Sequence, residues 1–356
     1  MNSIELSPTL VIGAGLVGAS VGCALGAAGV AVHVADLDRS HAQVAASRGA
    51  GVVDEPVAED VRLVVVAVPP GALADVIASA LADYPNATVT DVGSVKGAVL
   101  ADLRGRDLEL SRYVGSHPMA GSQLSGPLTA RADLFADRTW VVTPHDTSAA
   151  HAVLDVTELV RLCGGRLVTM GPAHHDEAVA QVSHVPQLVS ALMAGSLVDV
   201  PSEHLKLAGQ GVRDVTRIAG SDPALWHQII EANRVAVLGE LRGIEARLAR
   251  LVDAFDQPGE VEAFLARGRA GVAALPGKHG AAQAAFARVV VAIPDEPGSL
   301  AHLFADIEAA GVNVEDLSID HDLGRDVGYL SIQVLPGRAD DLEAAMRAGG
   351  WQVREE

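Results

Sequence analysis

The sequence predicts three consecutive domains: an α/β domain with a doubly wound parallel sheet over residues 1–170, an all-α domain over 171–283, and a small β-α-β-β-α-β domain over 286–356. Three observations predict this division. Up to about Met170, short Val- and Ile-rich runs alternate with Ala-rich helical stretches, the order that builds a parallel sheet covered by helices. From Gly171 to about Gln283 strand-like runs disappear and long apolar helices take over. From Arg288 the alternation returns, in the order of a ferredoxin-like split βαβ unit.

The first strand, Thr9–Ile12, runs into Gly13-Ala14-Gly15-Leu16-Val17-Gly18 and a helix over Ala19–Ala28. Val30–Ala35 is a second strand, closed by Asp36, and further strands fall at Leu63–Val68, Thr88–Val92, Tyr113–Ser116 and Trp140–Thr143. In the middle region, helices over Ala173–Val198 and Ala224–Phe255 are apolar on several faces, so they need partners and predict a dimerisation domain. Pro276, Gly277 and Gly280 mark Leu275–Ala284 as a linker. The last region reads as strand Val289–Ile293, helix Gly298–Ala310, strands Val312–Asp320 and Val327–Val334, helix Ala339–Ala348 and strand Trp351–Arg354.

Composition narrows the partners. The 356 residues carry a formal net charge of -19 spread along the chain, which repels nucleic-acid phosphates and gives no reason to dock on anionic membranes. Val182–Val200 approaches membrane-spanning length, but His184, Pro186, Gln187 and Asp199 interrupt it, so a buried helix is expected. The two cysteines, Cys23 and Cys163, sit inside apolar stretches and support no disulfide framework. Residues Met1–Pro8 lack the basic start of a signal peptide, and the two observations together predict a cytoplasmic protein. No metal-binding residues are assigned.

The glycine motif gains meaning from its context between a strand and a helix, the Rossmann arrangement. Gly13 allows the tight turn, Gly15 the approach of a pyrophosphate, and Gly18 close helix–strand packing. Leu16, Val17 and Gly18 open the helix, whose N–H groups face the phosphates. Asp36 is placed to accept from both ribose hydroxyls and to repel a 2′-phosphate, which predicts NAD over NADP, although Arg39 lies nearby. Val68 and Pro69, at the end of the third strand, complete the expected cofactor-binding set.

Two segments at strand C-termini carry the candidate chemistry, where doubly wound folds place ligands: Asp91-Val92-Gly93-Ser94-Val95-Lys96 and Gly115-Ser116-His117-Pro118-Met119-Ala120-Gly121-Ser122. His117 at such a site can take a hydroxyl proton as a hydride leaves; a capped structural histidine is the bland alternative. These two blocks resemble the prephenate/arogenate dehydrogenase family. So do Val182-Ser183-His184-Val185-Pro186-Gln187 and Asp214-Val215-Thr216-Arg217-Ile218-Ala219-Gly220-Ser221-Asp222-Pro223, and the likeness spans about residues 9–235.

The resemblance implies oxidation of a cyclohexadienol by NAD with loss of carbon dioxide. It makes His117 and Ser94 the catalytic residues, with Ser94 binding the same hydroxyl or orienting His117 and the nicotinamide. It makes Arg217 the clamp for a substrate carboxylate, held in place by Asp214, and puts His184 and Ser122 near the substrate. Gln123 stands where the family often has an acid, and Gln187 where many members have a histidine, so both bear on whether prephenate or arogenate is taken.

In the last domain, Ile293-Pro294-Asp295-Glu296-Pro297-Gly298-Ser299-Leu300 and Ala310-Gly311-Val312-Asn313-Val314 resemble the ACT family of amino-acid-sensing domains. That likeness implies an effector site at Asp295, Pro297, Gly298, Ser299 and Asn313, with tyrosine or phenylalanine as the natural effector. Other readings remain open: a relative acting on an amino-substituted prephenate, a non-catalytic NAD and amino-acid sensor, or a β-hydroxyacid dehydrogenase. The last usually pairs a Lys with an Asn four residues on, where this chain has Lys206 and Gln210.

Overall fold

Four short parallel strands carry the first part of the structure, a computed structural model that describes residues 6–120, 126–275, 286–321 and 327–354. The chain divides into two compact units, Met1–Arg250 and Leu251–Glu356.

In the first unit, β1 (Thr9–Ile12), α1 (Leu16–Ala27), β2 (Val32–Ala35), α2 (Arg39–Ser47), β3 (Leu63–Val66), α3 (Leu73–Asp83) and β4 (Thr88–Asp91) alternate. The sheet order is β2-β1-β3-β4, all parallel. Every residue of β3 is buried, because a central parallel strand has helices on both faces. The pleat sends Leu63 and Val65 to one core, with Val21, Trp140 and Leu159. Val64 and Val66 face the other, with Ile77, Val89 and Leu103.

After α4 (Gly97–Gly105), the strands β5 (Gly115–Pro118), β6 (Thr139–Thr143) and β7 (Arg166–Thr169) form a second sheet, with α5 (Ala150–Leu162) between β6 and β7. A parallel bridge from Val89 to Tyr113 links β4 to the chain entering β5. Here the expected all-parallel sheet is corrected: β5 and β6 are antiparallel. Among the described residues no α-helix lies between them, and the short 3-10 turn Pro127–Thr129 is no crossover helix, so the chain returns in the opposite direction.

The helical part of this unit starts with α6 (Pro172–Val179), a π-turn over Ala180–His184, and α7 (Val185–Ser196) as one continuous rod. Next come α8 (Ser202–Leu205), α9 (Gln210–Thr216), a 3-10 turn over Arg217–Gly220, α10 (Pro223–Ala232) and α11 (Arg234–Ala254). Ala180, Val185 and Val237 form its small core, with Leu188, Val189 and Ile230 around them. Among the described residues no helix is long and apolar enough to cross a membrane.

In the second unit, α12 (Glu260–Ala273) precedes β8 (Ala287–Pro294), α13 (Ser299–Ala309), β9 (Asp316–His321), β10 (Val327–Val334), α14 (Ala339–Ala348) and β11 (Gln352–Arg354). The sheet is antiparallel throughout, in the order β11-β8-β10-β9. Alternate residues Val289, Val291 and Ile293 of β8 and Leu330, Ile332 and Val334 of β10 face Leu303, Ile307, Leu342 and Met346 of the two helices. β9 starts four residues later than expected, since Val312 turns into the core before the strand begins.

Ile332 sits at the centre of that core and is fully buried. Ile332→Ala is expected to cost about 2–5 kcal/mol, read as a lowered unfolding midpoint in urea.

Candidate active site

The turn after β1 is built by close approach. Gly13 has φ +104, and a Cβ there would lie 2.3 Å from the Ala67 carbonyl oxygen. A Cβ on Gly18 would lie 2.0 Å from the Gly13 carbonyl oxygen, so only glycine lets α1 begin so near β1 and β3. Beside Gly15, by contrast, there is open space within 4 Å of a built Cβ. Gly15 caps α1 with no side-chain bond, which leaves the first N–H groups of the helix directed outward. Asp36 braces the turn, its two carboxylate oxygens accepting from Ala14 N at 2.7 Å and Asp38 N at 2.9 Å. Each oxygen keeps a lone pair for a further donor. Val68 lies half-buried against Gly13, and Pro69 is exposed beyond it. An open cradle, free N–H groups and a carboxylate at the end of the next strand fit a dinucleotide.

His117 lies inside β5, half-buried, rather than after the strand. Its Nδ1 bonds the Nε2 of His175 at 2.9 Å, and the Nδ1 of His175 bonds Asp176 Oδ1 at 2.8 Å. Burial holds His117 well below its usual pKa of 6.5, and His175, Lys96 and His184 push the same way, so the ring is neutral. Asp176 also accepts from the backbone N–H groups of Lys96 at 2.9 Å and Gly97 at 2.7 Å, the first turn of α4. The loop that leads into α4 carries Ser94, whose hydroxyl bonds none of the described residues. Sequence reasoning missed His175 and Asp176. The signal was the adjacent pair His174-His175-Asp176 at a helix start, but nothing local says which ring turns inward.

Below this chain lies a buried ion pair. Lys96, 1% exposed, bonds Asp91 Oδ2 and donates to the Ser116 carbonyl at 2.7 Å. Tyr113 donates to the other oxygen of Asp91 at 2.9 Å, and Ser116 Oγ donates to the Asp91 carbonyl at 2.8 Å. Burial lowers the pKa of Lys96 against the pull of Asp91, and raises that of Tyr113 well above 10.0. The lysine thus fixes β5 one residue before His117.

On the helical side, Asn233 Nδ2 donates to the Asp176 carbonyl at 2.8 Å and to His184 Nδ1 at 3.1 Å. His184 is buried edge-on to Trp226, and burial brings its pKa down to about 4. Gln187 was expected to read the substrate side chain. Its amide instead donates to the Ile218 carbonyl at 2.9 Å, and Ser190 holds Val215 at 2.7 Å, so α7 anchors the turn that carries Arg217. The expected Asp214–Arg217 pair is also corrected. Asp214 accepts from Gln210 at 2.8 Å, because α9 ends at Thr216 and Arg217 opens a 3-10 turn off the helical register. Arg217 is exposed and has no partner among the described residues. Ser122 and Gln123 lie outside the described residues.

In the second unit, Asp295, Pro297 and Gly298 are exposed, Gly298 caps α13 at φ +95, and Ser299 N bonds the Glu296 carbonyl at 3.2 Å. Asn313 Nδ2 donates to Glu315 at 2.7 Å. Among the described residues no cluster of three or more His, Cys, Asp or Glu is arranged to hold a metal.

A glycine cradle for a dinucleotide and a neutral, oriented histidine at the C-terminal edge of the sheet define an NAD-dependent oxidoreductase. The comparisons give its family. Residues 21–169 match the prephenate dehydrogenase nucleotide-binding domain, and residues 171–265 match the prephenate dehydrogenase dimerization domain. A probable prephenate dehydrogenase, NovF, from Streptomyces niveus is 34% identical, across 96% of this chain and 98% of the relative. A prephenate dehydrogenase of Bacillus subtilis is 29% identical, across 87% of both chains. The crystal structure of prephenate dehydrogenase from A. aeolicus with hydroxyphenyl propionate and NAD+ superposes with TM-score 0.68 at 26% identity, covering 76% of this chain and 98% of that one. The chain belongs to the prephenate dehydrogenase family.

Lys96→Met leaves the Asp91 carboxylate buried without its cation. The expected loss is about 3–5 kcal/mol, measured by chemical unfolding; a loss below about 1 kcal/mol would show that the pair does not hold β5.

Proposed function

We propose that this chain oxidises prephenate with NAD, releasing carbon dioxide and 4-hydroxyphenylpyruvate, a step toward tyrosine. The observation that carries the reading is the orientation of His117. Its Nδ1–H is committed to His175, so its Nε2 lone pair is free to accept a proton. His117 takes the proton of the ring hydroxyl there, while the carbinol carbon gives up its hydride and the ring carboxylate leaves as the ring becomes aromatic. Ser94 bonds the same hydroxyl or steers His117 and the nicotinamide, and Arg217 grips a substrate carboxylate with its planar fork.

Gly15, Leu16, Val17 and Gly18 would hold the pyrophosphate of the dinucleotide and Asp36 its ribose, with Val68 and Pro69 alongside. When bound it accepts the hydride. His184 receives the Asn233 amide proton on Nδ1 and so presents N–H at Nε2. A donor suits the keto oxygen of prephenate better than the ammonium of arogenate, which supports prephenate. Assay of both compounds, each with NAD and with NADP, tests this; turnover of arogenate alone would transfer the reading to arogenate dehydrogenase.

The helical region is read as a homodimer interface, supported by exposed Val182, Leu192 and Val235 on its helices and exposed Val198 and Leu207 in the turns between them. Residues 286–356 are read as a ferredoxin-like, ACT-like regulatory domain, supported by the strand order β11-β8-β10-β9 and by α13 and α14 on one face of the sheet. Its effector, tyrosine or phenylalanine, would lie at Asp295, Pro297, Gly298, Ser299 and Asn313.

His117→Asn is expected to lower kcat by about 10²–10⁴ with NAD affinity unchanged, as read by NADH formation and by titration of the cofactor. The wild-type kcat/KM is expected to stay level through neutral pH. The base is its unprotonated ring and burial lowers its pKa, so the rate falls only on the acid side of 6.5. In the regulatory unit, Gly298→Val is expected to raise the tyrosine or phenylalanine needed for half-inhibition at least tenfold; an unaltered inhibition curve removes that site.

A further inference from the structure

Asp176 carries more bonds than a surface carboxylate of α6 needs. It is 8% exposed, and all three of its side-chain partners are N–H donors: Lys96 N at 2.9 Å, Gly97 N at 2.7 Å and His175 Nδ1 at 2.8 Å. The approach requires glycine at position 97, where a Cβ would lie 2.8 Å from Asp176 Oδ2. His175 is fully buried between this carboxylate and His117, its ring edge-on to His117 at 5.1 Å between centroids.

We propose that Asp176 and His175 are positioning residues for His117, which fix the tautomer and aim of the base. The proposal rests on His117 being that base. A carboxylate engaged by three donors stays ionised and can only accept, so His175 carries its proton on Nδ1. Its Nε2 is then an acceptor and takes the proton of His117 Nδ1, which leaves the lone pair of His117 on Nε2. When His117 Nε2 receives the substrate proton, the new positive charge is met by the His175 lone pair and, behind it, the Asp176 charge. No proton crosses the chain: the two backbone N–H groups at the start of α4 hold the Asp176 carboxylate in place.

The titratable groups facing His117 are His175 and Asp176 of α6, Lys96 of the turn before α4, and His184 of the π-turn. Lys96, His184 and, when itself charged, His175 oppose a charge on His117, and Asp176, reached through His175, is the one acid in the set.

The test uses the full-length protein and whichever cyclohexadienol the wild type turns over. Asp176→Asn removes the negative charge behind His175 and leaves an amide where one of the two α4 N–H groups needs an acceptor. His175→Leu breaks the chain outright, while His175→Gln restores an acceptor for His117 Nδ1. Asp176→Asn and His175→Leu are expected to lower kcat about 100-fold or more, with KM and NAD affinity within about threefold. The acid limb of the rate profile should move to lower pH in both, and His175→Gln should recover at least tenfold over His175→Leu. Wild-type kcat and pH profile in His175→Leu would overturn the proposal. So would a loss that tracks NAD affinity with the acid limb unmoved and no recovery in His175→Gln. His117→Asn separates the two layers: if it keeps full turnover, the base assignment itself is wrong, and if it alone is inactive, only the positioning pair is wrong.

Discussion

Asp176 ties the helical part of the first unit to the sheet. Its carboxylate caps α4, its carbonyl receives Asn233, and its neighbour His175 meets His117. Loss of an N-cap alone costs about 0.5–2 kcal/mol, and a buried carboxylate without its donors costs more. The helical rod and the strand ends therefore share one geometry. The glycine turn is built without this contact, but His117 and the loop that carries Ser94 are placed by it.

Burial then sets the charge of the site. His117 and His184 are both held neutral, mainly because there is little water to solvate an imidazolium. Positive charge is kept where it is structural, in Lys96 under β5, and where it is exposed, in Arg217. This answers a difficulty raised by a net charge of -19. An anionic substrate needs local cations and helix N-termini, whose fields act over a few ångströms, whereas the distributed negative charge is screened by salt.

Much of the fold was legible. Gly13 and Gly18 between a strand and a helix, and Asp36 at the end of the next strand, were legible as a turn, since each meets a local steric or hydrogen-bonding demand. The six elements from β8 to β11 also fell close to their expected places, because alternation of Val289, Val291 and Ile293 names a strand with one buried face. Less legible were β7, whose Arg166–Thr169 is largely exposed and offers only Leu167 and Val168 as an apolar signal, and the reversal of β6. Direction depends on how the chain returns, which short-range periodicity does not record.

For the site, sequence alone determined which side chains could do chemistry: His117, Ser94, His184 and Arg217 stand in blocks whose residue types belong together. Only the tertiary structure decided what each one touches. It turned Gln187 from a reader of substrate into the anchor of Arg217's turn, gave Asp214 to Gln210, and brought His175 and Asp176 from α6 to His117. Local identity follows from steric and capping rules over a few residues. Partnership across 58 residues between His117 and His175 is chosen by packing, which selects among many chemically equal donors the one whose backbone happens to be held at bonding distance.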